Sequence, residues 1–410
     1  MNRVAVTGLG VITPVGNDVG TMWGSLIAGR HGIGPITCFD CTGYKASLAA
    51  EVKGFDPLDF MEHSEARRLD RYSQYAIAAV EQAVSDSGIH GAVEPERLSV
   101  YFGSGIGGIN TFETEHSKLL GGGPRKVSPL FIPMLISNLA AGNIAIKWGA
   151  QGACIPIVTA CATGNDSIGQ AFRAIKHGYA EAAIVGGAEA AITPMGVSGF
   201  INMTALSSSN DPDAASLPFD KRRNGFIMGE GAGALILEEY GRAKRRGARI
   251  YAEVMSYSST CDAHHITAPS SDGGQSARAI SEAFAGAGSP DGLVYVNAHG
   301  TGTPLNDIAE TAALKSAFGE RVSSILVSST KSMTGHMLGA AGAVEAVISL
   351  MALNEGIIPP TAGLLEPDPE CDLDYVPLAA RRVAPELVLS VSMGFGGHNA
   401  CVGFARGLDQ

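Results

Sequence analysis

Aromatic residues are scarce in this chain, 6% of 410 positions with two tryptophans, and charged side chains make up only 17%. Few rings beside 53 glycines argue against a core built on large aromatics and for close backbone packing with many sharp turns. Low-complexity tracts are missing, which excludes extensive disorder on composition. Basic residues are outnumbered by acidic ones, 29 to 40, for a formal net charge of −11. That balance argues against nucleic acid and anionic membranes as general partners. Seven cysteines, an odd number without regular spacing, do not make a disulfide scaffold and suit a reducing cytoplasm. The chain opens directly on an apolar strand pattern, Arg3-Val-Ala-Val, with no signal-peptide pattern. The apolar run Leu338–Leu353 is too short and too rich in Ala and Gly for membrane insertion, and Glu345 interrupts it. It reads as a core helix whose single carboxylate must find partners.

The pattern of elements is doubled. Helical Tyr75–Gly88 leads to a strand over Leu98–Phe102 and then to Gly103-Ser-Gly-Ile-Gly-Gly108. Helical Ser276–Gly288 leads in the same way to a strand over Leu293–Asn297 and then to His299-Gly-Thr-Gly-Thr-Pro304. A strand, turn and helix around Cys161 correspond to Ile325–Lys331, the turn at His336 and the helix from Leu338. Alternating strands and helices imply α/β layers, and the repetition implies two similar halves. The expected boundary lies in the charged segment Tyr240–Gly247, giving an N-terminal half 1–247 and a C-terminal half 248–410.

Three nucleophile, nucleotide and metal patterns compete. Ile155-Pro-Ile-Val-Thr-Ala-Cys161 reads as a buried strand ending at a cysteine, with a helix beginning at once after it. A thiol over a helix N-terminus meets unpaired N–H groups and the positive end of the dipole, which favour thiolate. Against this stands the ordinary buried, inert cysteine. Gly103–Gly108 matches G-x-G-x-x-G formally, so a dinucleotide-binding oxidoreductase is a rival; yet no strand closed by an acidic residue follows at the required distance. Cys38-Phe-Asp-Cys41 lacks a second pair for zinc, and Cys261-Asp-Ala-His264-His265 lacks a fourth ligand, so no metal is expected. His299 and His336 stand out because each follows a strand of the second half in a glycine-rich turn, with Lys331 near the second.

With these residues in view, the chain resembles the β-ketoacyl-acyl-carrier-protein synthases of the thiolase superfamily, in particular the elongating type II members, over essentially its whole length. Val158-Thr-Ala-Cys-Ala-Thr-Gly164 resembles the nucleophile motif, the His299 and His336 segments the two histidine motifs, and Lys331 and Gly394-Phe-Gly-Gly-His-Asn399 match as well. The Cys-His-His set differs from thiolases, which carry a second catalytic cysteine, and from initiating synthases with Cys-His-Asn. His398 stands where some relatives have threonine.

The resemblance implies a thiolase-like fold, two α/β halves forming an αβαβα core, and decarboxylative Claisen condensation. Cys161 would take an acyl chain from acyl-carrier protein; His299 and His336 would stabilise the enolate formed when the malonyl group loses carbon dioxide. Lys331 and Glu345 would fix the histidines, and the N–H groups of Cys161 and Phe395 would form the oxyanion hole. Thr301 and Thr303 would line the pantetheine tunnel, Phe395 would gate it, and Ile106 and Phe200 would bound the acyl pocket. Arg67, Arg68, Arg71, Arg125 and Lys126 would dock the acidic carrier protein. A homodimer without redox cofactor is implied. The alternative is a type II polyketide ketosynthase subunit, and a non-catalytic partner subunit is disfavoured by the presence of Cys161.

Overall fold

Ten strands form one hydrogen-bonded sheet, and its two halves repeat each other. The structure, a computed structural model, describes residues 1–407. The first half contributes β1 (Val4–Ile12), β2 (Leu98–Gly103), β3 (Cys154–Ile155), β4 (Ala182–Glu189) and β5 (Gly231–Glu239). The second contributes β6 (Ala252–Cys261), β7 (Val294–Asn297), β8 (Ile325–Ser328), β9 (Leu387–Gly394) and β10 (His398–Ala405). Their spatial orders, β1-β5-β4-β2-β3 and β6-β10-β9-β7-β8, are the same permutation. Strand directions repeat too: two antiparallel pairings followed by two parallel ones in each half. A short antiparallel contact, Ala5 opposite Glu253 and Val6 opposite Ala252, joins the halves.

Five helices set the layers. Helix α1 (Arg71–Ser87) covers β1, β4 and β5 on one outer face. On the other outer face α3 (Gly274–Gly286) packs on β6 and β10 and against α4 (Pro304–Phe318). Between the half-sheets lie α2 (Thr163–Lys176) and α5 (Ala341–Glu355), each touching strands of both halves. This is the αβαβα layering expected. A helix packed between the two half-sheets needs no polar face, which explains why α5 is apolar on every side apart from Glu345, Ser349 and its C-terminal end. Leu338–Glu355 is long and apolar enough to cross a bilayer, but most of it is buried inside the protein.

The two central helices meet at glycines in matching positions. A Cβ on Gly164 would lie 2.2 Å from the Ala343 nitrogen, and one on Gly342 would lie 2.7 Å from the Asn165 nitrogen. Each glycine lies three residues after the middle of a 3-10 turn, Ala160–Ala162 or Leu338–Ala340, that leads into its helix. Both turns begin on a non-glycine residue at positive φ, Ala160 at 51° and Leu338 at 48°. The crossing therefore sits at the symmetric centre of the repeat.

One local expectation is corrected. The segment before Cys161 is not a buried strand: β3 covers only Cys154–Ile155, is exposed, and lies at the sheet edge. Pro156 has no N–H to continue the ladder. Arg67 and Arg71 do not share a helix, because a short helix ends at Ala66 and Asp70 caps the start of α1.

Candidate active site

Cys161 lies in the 3-10 turn at the mouth of α2, buried at 8% exposure among Ala191, Ile192, Phe226, Met228 and Leu338. Its Sγ lies 3.1 Å from His336 Nε2, and the Phe395 N–H acts on it in the direction that favours the anion. The rings of His336 and His299 meet edge to face with centroids 5.3 Å apart. Thus the chain's two halves bring a thiol and two imidazoles to one buried centre. Behind them Lys331 Nζ bonds Glu345 Oε1, both side chains nearly inaccessible. Burial pushes the Glu345 carboxyl up to about 7 although the Lys331 ammonium pulls it down.

Backbone anchors explain why the imidazoles stand where they do. The N–H groups of His299 and Gly300 each donate to Glu310 at 2.7 Å. The His336 N–H donates to the Ile227 carbonyl at 2.7 Å. Burial, and then the nearby Lys331 charge, hold the pKa of both histidines well below the usual value, so both are neutral. Their Nδ1 atoms and Glu345 Oε2 are buried without a hydrogen-bond partner. The expectation of a resting thiolate does not hold. Desolvation pushes the Cys161 thiol up to about 12, outweighing Lys331 and the Phe395 N–H, which favour the anion.

The remaining expected residues fall in two groups. Near the thiol, Phe395 and Phe200 are half-buried with ring centroids 6.4 Å apart, and Phe200 meets Phe226 at 5.5 Å. Thr301 and Thr303 face each other with Oγ1 atoms 3.0 Å apart. Ile106 is partly exposed on the loop after β2. Farther off, Arg67, Arg68, Arg125 and Lys126 are exposed. Arg71 is not available in the same way: its Nε donates to Tyr75 Oη and its guanidinium lies over the Phe55 and Tyr75 rings. The Lys221-Arg222-Arg223 cluster is likewise partly consumed internally, Arg222 by Asp220 and Arg223 by Asp368 and Asp307.

Sequence reasoning missed Glu189 and Glu310. Glu189 accepts from Ser104 Oγ and from the N–H groups of Gly105, Ile106 and Gly339. The glycine loop that imitates a phosphate-binding fingerprint therefore holds an anion of the protein itself. The signal existed: Glu189 is a lone carboxylate within apolar Ala182–Ile192, as Glu345 is within its own run. Among the described residues, no three His, Cys, Asp or Glu side chains group as a metal site.

A buried cysteine at a helix entrance, paired with imidazoles from the other half of a duplicated α/β fold, is the arrangement that thiol-dependent acyl transfer calls for. Sequence comparison makes the class specific. The beta-ketoacyl synthase N-terminal domain matches residues 1–243 and the C-terminal domain residues 251–365, and the chain belongs to that family. It is 50% identical over 407 residues to 3-oxoacyl-[acyl-carrier-protein] synthase 2 of Synechocystis sp., covering 98% of each chain. It is 47% identical over 406 residues to the same-named protein of Staphylococcus aureus, again covering 98% of each. Among solved structures, a type II polyketide ketosynthase in complex with its acyl-carrier protein superposes with a TM-score of 0.92 at 33% identity, covering 99% of this chain and 100% of that one.

Proposed function

We propose that this protein is a 3-oxoacyl-[acyl-carrier-protein] synthase that elongates fatty acids by condensing a Cys161-bound acyl group with malonyl-carrier protein. The contact between Cys161 Sγ and neutral His336, with His299 beside them, carries this reading. In the first step the sulfur attacks the acyl thioester, its proton passes to His336 Nε2, and that proton leaves on the departing carrier thiolate. The acylated sulfur then has no proton to give, and the neutral His336 ring, whose hydrogen sat on Nδ1 while Nε2 accepted, exchanges to the tautomer with its hydrogen on Nε2 and becomes a donor.

In the second step malonyl-carrier protein loses carbon dioxide. The enolate oxygen that develops is held by N–H groups of His299 and His336, a stabilisation of the oxyanion-hole kind worth about two to three orders of magnitude per donor. The carbanion attacks the Cys161 thioester, and the tetrahedral oxyanion sits against the N–H groups of Cys161 and Phe395. Collapse releases the 3-oxoacyl thioester and a thiolate, which takes a proton from water. Lys331 and Glu345 act through the imidazoles as positioning residues. Thr301 and Thr303 line the pantetheine path, Phe395 gates it, and Ile106 and Phe200 bound the acyl pocket.

The halves divide at residues 247 and 248, consistent with family domains ending at 243 and beginning at 251. A homodimer is supported by exposed Phe112, Leu120, Ile132, Ile155 and Val158 and by the open edge of β3. A cytoplasmic setting fits an essential free thiol, and all seven cysteines are unpaired. Carrier protein docks on Arg67, Arg68, Arg125 and Lys126, with Arg71 supporting the surface from beneath. The segment bearing Arg67 and Arg68 is tied through Asp70 to Thr111, on the helix that leads to Arg125 and Lys126. The polyketide reading shares the fold but has the lower identity.

Condensation of acyl- and malonyl-carrier protein tests this function: purified protein should release carbon dioxide and form the 3-oxoacyl product. Reversing Arg67, Arg68, Arg125 and Lys126 to Glu should raise the KM for carrier-borne substrates and spare pantetheine analogues. Absence of product refutes the function; equal effects on both substrate types refute the docking surface.

A further inference from the structure

Glu189 ends β4 with a fully buried side chain, yet it forms no ion pair among the described residues. Its bonds come from four neutral donors on two separate segments. From the loop after β2 come Ser104 Oγ at 2.8 Å, Gly105 N–H at 2.8 Å and Ile106 N–H at 3.1 Å. From the turn that follows His336 comes Gly339 N–H at 3.0 Å. The clamp lies against the nucleophile: a Cβ on Gly105 would sit 2.8 Å from Glu189 Oε2 and 3.6 Å from the Ala160 carbonyl oxygen. An anion holding backbone N–H groups without a counter-ion fixes loop position as a metal or phosphate would elsewhere.

We propose that Glu189 is a positioning residue for acyl-chain selectivity, setting the Ile106 wall against the thiol and the His336 turn. The proposal rests on the condensing function above and deepens it. The two carboxylate oxygens have different duties. Oε2 spans the halves by accepting from Gly105 and Gly339, whereas Oε1 accepts from Ser104 and Ile106. In Glu189→Gln one oxygen becomes an NH2 group that cannot accept. Placed at Oε2 it would orphan two buried backbone N–H groups; placed at Oε1 it orphans only Ile106, because the Ser104 hydroxyl can turn and accept. The amide therefore settles on the Ser104 side, keeps the Gly105–Gly339 clamp and releases Ile106. Ser104→Ala weakens the same side more gently, removing a donor to Glu189 and the acceptor of the Gly107 N–H.

The experiment measures kcat/KM over a ladder of saturated acyl-carrier proteins, and malonyl decarboxylation without an acyl donor, for wild type, Glu189→Gln and Ser104→Ala. Glu189→Gln should shift the long-to-short ratio by about tenfold toward longer chains, the scale on which a pocket wall discriminates methylenes. It should leave decarboxylation, which depends on His299 and His336, at the wild-type rate. Ser104→Ala should move the profile in the same direction by less, and it alone decides if Glu189→Gln fails to fold. Losses that are equal at every chain length, an unchanged profile, or a parallel fall in decarboxylation would overturn the assignment. A wild type that condenses no acyl group would instead overturn the function itself.

Discussion

Cys161 keeps its proton at rest because desolvation raises its pKa further than Lys331 and the Phe395 N–H lower it. The same burial keeps both histidines neutral, and a neutral imidazole can accept that proton. Because folded-state values lie below the ordinary 6.5, the unfolded chain binds more protons as pH falls through that value. The two histidines thus favour the folded state above it and cost stability below it. Lys331 adds to the depression in both, so Lys331→Met should move the acid limb of malonyl decarboxylation to higher pH. Carbon dioxide release measured across pH will check this, and an unmoved limb would show that Lys331 acts otherwise. Cys161, His299 and His336 were legible because chemistry-bearing residues in glycine-rich turns leave a local pattern. Glu189 and Glu310 were not, since their partners are backbone N–H groups that no side-chain motif records. The packing of Arg71 over the Phe55 ring was not legible either, since its sequence neighbours do not reveal that ring.

At the scale of elements, the repeat was read correctly from strand–turn–helix order, and its deeper mark is the pairing of Gly164 with Gly342. Helices this close tolerate no side chain at the crossing. Gly164→Ala would force Cβ against the Ala343 backbone nitrogen, and overpacking of that kind costs about 1–3 kcal/mol. Its melting temperature should fall and condensation should weaken, since Gly164 lies one helical turn from Cys161. Thermal unfolding beside the condensation assay will test this; wild-type stability would mean that the crossing yields easily. The buried strand expected before Cys161 failed for a local reason. Its apolar residues suggested a core strand, but Pro156 stops the ladder after Ile155, and the chain reaches the thiol through a turn held at positive φ.

For the whole molecule, duplication is what makes the site. Each half contributes five strands and one central helix, and the candidate site lies at their junction: Cys161 on one side, His299, Lys331 and His336 on the other. A net charge of −11 with Arg67, Arg68, Arg125 and Lys126 exposed fits recognition of an acidic carrier better than broad anion binding. The acyl-enzyme is the one state that every part of this account requires. Incubation with an acyl-carrier protein, followed by proteolysis and mass spectrometry, should find the acyl mass on the peptide containing Cys161 and on no other cysteine. Label on another residue, or condensation without any acylated Cys161, would contradict it.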